Sequence, residues 1–262
     1  MEQVSRRGFL GILPTAALIS TIPGNAEGQT ESPLTSGFPR QDAAVVKEMV
    51  SVAHGNVARV KELVSGRPAL ARAAWEWGYG DWETALGAAS HVGNKEIARI
   101  LLDNGAHPTI FSAAMLGQLE VVRTFVAASP GIQRTRGPHG ITLLAHGRAG
   151  GSAEMVTYLE SLGDADPRYT NKALSQEEAA GVLGTYVFGA APTDRLIVSR
   201  NTRGDLVIKR EGESDRNLFH QGNRVFNPPG GEAVRIQFAP ATGKATTVQI
   251  LDGPVNVTGR ST

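Results

Sequence analysis

The stretch TALGAASHVGNKEIARILLDNGAHP, from Thr84 to Pro108, decides the fold of most of this chain. Its first part is a run of small residues, including Ala88 and Ala89, closed by Gly93. Its second part, GNKEIARILL, places its apolar residues on one helical face, and Gly105 and Pro108 end it. Small residues let one helix approach its neighbour closely, and bulky aliphatics on the next helix fill the space between.

Working outward, the second half recurs three more times. GNVARVKELV begins at Gly55, GQLEVVRTFV at Gly117 and GSAEMVTYLE at Gly151. The first half recurs as SAAMLG before Gly117 and as TLLAHGRAGG from Thr142. The closing turn recurs as LESLGDADP, Leu159 to Pro167. These features resemble ankyrin repeats, in which a Thr-Pro-Leu-His-x-Ala-Ala-x-x-Gly helix is followed by a second helix and a Gly-Ala-Asp-Pro turn. The resemblance covers residues 42–168 and implies a helix-turn-helix solenoid of about four repeats that recognises proteins.

The turn glycines are separated by 38, 24 and 34 residues, against about 33 for a regular unit. The middle interval is too short for a projecting finger, so Thr109 is expected to cap the third repeat's first helix directly. The first is too long, and its surplus is RAAWEWGYGDWETAL, Arg72 to Leu86, which holds all three tryptophans. Gly147 and Arg148 replace the paired alanines in the fourth repeat, which makes it a candidate end cap.

Beyond this array the period changes. SQEEAAGVL opens with a capping box, Ser175 to Glu178, and reads as a linker helix within 169–182. Two-residue alternations follow: TYVFG, RLIVSRN, DLVIKREG, NLFHQGNRVFN, AVRIQFAP and TTVQILDG. They predict a small antiparallel β barrel or curved sheet over 183–256. The segment is similar to the small β domain that trails serine β-lactamase-like hydrolase modules, through LGTYVF, GDLVIKREG, LFHQGNRVF and IQFAPATGKATTVQI. The hydrolase module itself is missing: no lysine follows a serine at three positions, and no Gly-x-Ser-x-Gly elbow occurs. No catalytic residue is assigned, and the chain reads as non-enzymatic.

The N-terminus, SRRGFLG leading into ILPTAALISTI and PGNA, resembles a twin-arginine signal carried by Arg6, Arg7, Phe9 and Leu10. Residues 1–26 are then removed outside the cytoplasm, and 27–41 form a polar lead-in. Removal takes away Glu2, Arg6 and Arg7, leaving 24 basic and 24 acidic residues of the 26 and 25 in the chain. That balance argues against nucleic acid and anionic membranes as partners. The absence of cysteine removes disulfides, thiolate metal sites and a cysteine nucleophile together.

The expected contact face is the aromatic finger with neighbouring inner-helix residues: Trp75, Trp77, Tyr79, Trp82, Glu83, His91, His139 and His146. Alternation would place Trp75, Trp77 and Tyr79 on one side of an extended strand, with Trp82 packed inward and Trp75 and Trp77 partly exposed. The histidines have no zinc-ligand spacing, so neither metal nor cofactor is assigned. His91, His139 and His146 can nevertheless approach one groove. Two other readings stand beside a protein partner: a small ligand in the groove or β domain, and an accessory role to a neighbouring exported enzyme.

Overall fold

The computed structural model describes residues 39–262; the signal-like segment lies outside the described residues. Helix α1, Ala43–Val52, starts at Asp42, whose carboxylate accepts from the Ala44 amide. It pairs with α2, Val57–Gly66. The pattern continues with α3, Ala85–His91, and α4, Lys95–Asp103, then α5, Ile110–Leu116, and α6, Leu119–Ala128, and finally α7, Leu143–Gly150, and α8, Ala153–Ser161. Side chains at the N-caps Asn56, Thr84, Asn94, Thr109, Thr142 and Ser152 each accept an amide from the first turn. Thr109 caps α5 with no finger before it, as the short interval requires.

The first helices stack α1, α3, α5, α7, and the small residues set their spacing. Ala88, Ala89, Ala113 and Ala114 are all buried. At Gly150 a side-chain carbon would sit 1.9 Å from the Met115 carbonyl oxygen of α5. Gly150→Ala must therefore push α7 off α5. It should cost about 2–3 kcal/mol, read as a lower urea midpoint at unchanged slope.

A hairpin separates α2 from α3, built of strands β1, Ala74–Glu76, and β2, Trp82–Thr84. Its tip, Gly78, Tyr79 and Gly80, has φ of 103°, 64° and 76°. Glycine accommodates that at two of the three positions. The Glu76 carboxylate holds the tip by accepting from the amides of Gly78 (2.9 Å) and Gly80 (2.8 Å). The strand thus ends at Glu76, and Tyr79 belongs to the turn rather than to an extended run through Trp75 and Trp77.

After α9, Gln176–Val182, with its Ser175–Glu178 capping box, the chain forms one nine-stranded antiparallel sheet. Its strands are β3, Gly184–Val187, β4, Arg195–Arg200, β5, Leu206–Arg210, β6, Arg216–Asn217, β7, Phe219–Gly222, β8, Val225–Asn227, β9, Arg235–Ala239, β10, Thr247–Asp252, and β11, Val255–Ser261. The spatial order is β6-β5-β4-β3-β11-β10-β9-β8-β7. The two edge strands are consecutive in sequence and joined by the buried Leu218, so the sheet curls into a nearly closed barrel. Tyr186, Phe226 and Phe238 fill it, packed edge to face. The final strand, β11, carries the domain past position 256 to Ser261 and pairs with both β10 and β3, bridging the two halves of the sheet. Among the described residues, no helix is long and apolar enough to cross a membrane.

Candidate functional site

The extended backbone of β2 assigns its side chains to alternate faces. Asp81 and Glu83 turn inward and are buried, whereas Trp82 between them is 64% exposed. The expectation that Trp82 packs inward is therefore wrong: an inward Glu83 in the next position forces it out. Trp75 and Trp77 are half-buried against the helical core. Lys47 extends over both rings, its Nζ 5.6 and 5.8 Å from their centres.

The β domain sits on this hairpin. Arg216 of β6 donates to the Asp81 carboxylate (2.7 Å) and to the Trp77 carbonyl (2.7 Å). Tyr79 packs against the barrel core. Between hairpin and sheet lies a cleft of about 410 Å³ lined by Trp75, Trp77, Tyr79, Phe188, Leu196 and Ile208 among others. The finger's aromatic side thus faces the chain's own second domain across this cleft.

Buried Glu83 is the centre of a polar cluster. Trp77 donates its indole N–H to Glu83 Oε2 (2.8 Å). The Nε2 atoms of His91 and His139 lie 3.0 and 3.3 Å from Oε1, and that of His54 lies 3.7 Å from Oε2. His139 stands at φ 58°, held by Asp81, which accepts from its amide (2.8 Å) and from Nδ1 (2.7 Å). Burial alone would raise the Glu83 carboxyl, but the imidazoles of His139 and His91 outweigh it and hold it down at about 2. Burial alone would lower His139; Asp81 and Glu83 outweigh it and push it up to about 9. Asp81 is likewise held below its ordinary range by His139 and Arg216 against the opposing effect of burial. One atom each from His54, Glu83, His91 and His139 lies within 4.8 Å of the others, a set able to hold a divalent ion.

His146 does not join them. Its Nδ1 donates to the Thr142 carbonyl one turn back (2.8 Å), and its ring lies against Phe111. Fully buried, its pKa is lowered to about 4 by desolvation. The third imidazole of the cluster is instead His54, in the turn after α1. The signal for it was phase: His54-Gly55-Asn56 and His91-Val92-Gly93-Asn94 occupy near-equivalent points of successive units, and equivalent points are neighbours in a stack.

Since His146 is neutral in the folded chain down to about pH 4 but titrates near 6.5 when unfolded, the unfolded state binds the extra proton between those values. Its contribution is intact above pH 6.5 and declines by about 3 kcal/mol as pH falls to 4. Urea unfolding across that window should lose this component in His146→Gln.

A second feature lies on the outer side of β2. Exposed Trp82 borders a groove of about 370 Å³ with Thr84, Phe111, Arg136, Pro138 and Glu232. Residues 81–112 match the ankyrin repeat. The match begins at Asp81, runs through α3 and α4 and ends in α5, so it covers Asp81, Glu83 and His91 of the cluster. An ankyrin repeat is a protein-interaction module, and protein partners are the class it brings. No curated protein matches the chain. Among solved structures, similarity is found to a crystal structure of SurE with D-Leu, at 22% identity and a TM-score of 0.27 over 41% of this chain. A second crystal structure of SurE gives 23% identity and a TM-score of 0.26 over 44%. The chain spans about a quarter of the length of these structures, 26% and 27%.

Proposed function

We propose that this chain is an exported, non-enzymatic binding protein: a four-repeat ankyrin-type solenoid with its β domain docked on the first finger. It engages a protein partner through the opposite, Trp82-bearing side of that finger. The observation that carries the reading is the 64% exposure of Trp82 at the edge of a groove that also includes Phe111. A large ring left in water at the mouth of a concavity is the kind of residue that becomes an interface anchor. Export rests on the Arg6-Arg7-Gly8-Phe9-Leu10 signature. The sequence has neither a Ser-x-x-Lys nor a Gly-x-Ser-x-Gly motif, in keeping with a binding role.

The test compares capture from the exported fraction by the wild type and by Trp82→Ala. A protein recovered only by the wild type, with the variant equally stable, supports the reading; identical recovery, or none by either, counts against it. Fractionation of an Arg6→Lys, Arg7→Lys variant tests export separately, through retention of the uncleaved chain.

A small apolar ligand in the cleft between finger and sheet is the second reading. It is favoured by the 410 Å³ volume and by the tryptophan and aliphatic lining. Quenching of tryptophan fluorescence by apolar compounds, lost in Val257→Arg at the exposed rim of the cleft, would support it.

A further inference from the structure

We infer that His54, Glu83, His91 and His139 form a binding site for one divalent transition metal of the zinc class, closing a four-coordinate N3O shell. These four residues come from four separate places: the turn after α1, strand β2, the end of α3 and the loop before α7. An ion there would staple the finger to two inner helices and to the loop that leads into a third.

Three observations carry this. The first is spacing. Zinc bound at about 2.0–2.1 Å to tetrahedral ligands requires ligand atoms about 3.3–3.4 Å apart. Glu83 Oε1 lies 3.0 Å from His91 Nε2 and 3.3 Å from His139 Nε2, and one ligand atom of His54 completes a set in which all four atoms lie within 4.8 Å of one another.

The second is orientation. His54 directs Nδ1 at the Ser51 carbonyl (3.0 Å) and His139 directs Nδ1 at Asp81 (2.7 Å), so that in each ring Nε2 is the nitrogen that faces Glu83. Anchoring of the far nitrogen by a carbonyl or carboxylate is how proteins orient metal-binding imidazoles. Trp77 plays that part for the carboxylate, holding Oε2 and leaving Oε1 free.

The third is unsatisfied polarity. Glu83 is fully buried, yet its Oε1 has no hydrogen-bond partner among the described residues, and neither does His91 Nε2. These two atoms approach to 3.0 Å without the alignment of a hydrogen bond. Atoms that close and misaligned are directed at a common point rather than at each other. An ion-pair network accounts for His139, Asp81 and Arg216, whereas three imidazoles gathered on one buried carboxylate, with His91 Nε2 and Glu83 Oε1 out of hydrogen-bond alignment, also suit a shared ion. Three imidazoles and one carboxylate suit zinc and its neighbours rather than calcium or magnesium, which take oxygen ligands.

The experiment uses the purified chain without a histidine tag, stripped by chelator, dialysed and titrated calorimetrically with zinc. One zinc per chain is expected, with a rise in melting temperature of roughly 5–10 °C at free zinc near 100 times Kd. His54→Ala and His91→Ala should each weaken binding by more than about 100-fold, beyond what loss of an outer-shell partner costs. His107→Ala, at an exposed histidine, should bind as the wild type. Cobalt added to the stripped wild type should give the intense visible absorption of a four-coordinate ion, a readout independent of how any variant folds. No zinc uptake, unchanged affinity in both cluster variants, or the weak spectrum of six-coordinate cobalt would overturn the site.

Discussion

Asp81→Ala should destabilise the folded chain by roughly 3–5 kcal/mol, and it should do so by separating the two domains. Asp81 is 2% exposed and accepts from the Arg216 guanidinium, the His139 imidazole and the His139 amide. Removing the carboxylate leaves the Arg216 guanidinium without its buried anion and leaves the charged His139 imidazole with Glu83 alone, the situation in which breaking a buried pair costs most. Solvent screening does little at such a site, because both Asp81 and Arg216 are largely covered. Urea unfolding measures the loss, and limited proteolysis should show earlier cleavage between residues 169 and 175. The double variant Asp81→Ala, Arg216→Met should cost less than the sum of the single ones, since it removes both orphaned charges on that contact. Strict additivity would mean that the 2.7 Å pair contributes nothing to domain docking.

This contact also marks where the sequence stops being legible. Helix pairs repeat, so their signals repeat: glycine turns, N-caps and small residues at fixed phase give the helices from α2 to α8 and the direct capping of α5 by Thr109. The capping box at Ser175 and the alternations beyond it placed α9 and the curled sheet. Arg216 and Asp81 are 135 positions apart and belong to elements of different period, so no local pattern relates them. Docking of the barrel on the finger, and with it the cleft lined by Trp75, Trp77 and Tyr79, follows from that pairing. The cluster around Glu83 was half legible. His91 and His139 were recognised as groove residues, but His146 was grouped with them because helix phase alone cannot show that its ring turns to Phe111. His54 has no local signal beyond its phase with His91, on which its ring rests with centres 4.9 Å apart.

The tryptophans should divide sharply under mutation. Trp77→Ala is expected to cost about 3–5 kcal/mol, whereas Trp82→Ala should change stability by no more than about 0.5 kcal/mol. Trp77 packs on the helical core, and its indole N–H is the one aligned hydrogen bond that Glu83 receives among the described residues. Truncation therefore opens a cavity and withdraws a donor from a fully buried carboxylate, and leaving such a group short of partners costs about 1–3 kcal/mol by itself. Trp77→Phe separates the two effects: packing is largely retained and the donor is lost, so the cost should fall to that smaller range. Trp82, one position from Glu83 on the opposite face of β2, carries neither burden. Equal losses at Trp77 and Trp82 would mean that the alternation of β2 does not assign these rings to core and solvent, and the case for Trp82 as a partner contact would fall with it. A large loss at Trp77 alone makes that ring part of the scaffold and leaves Trp82 as the finger's free aromatic anchor, since nothing in the folding of the chain then accounts for its exposure.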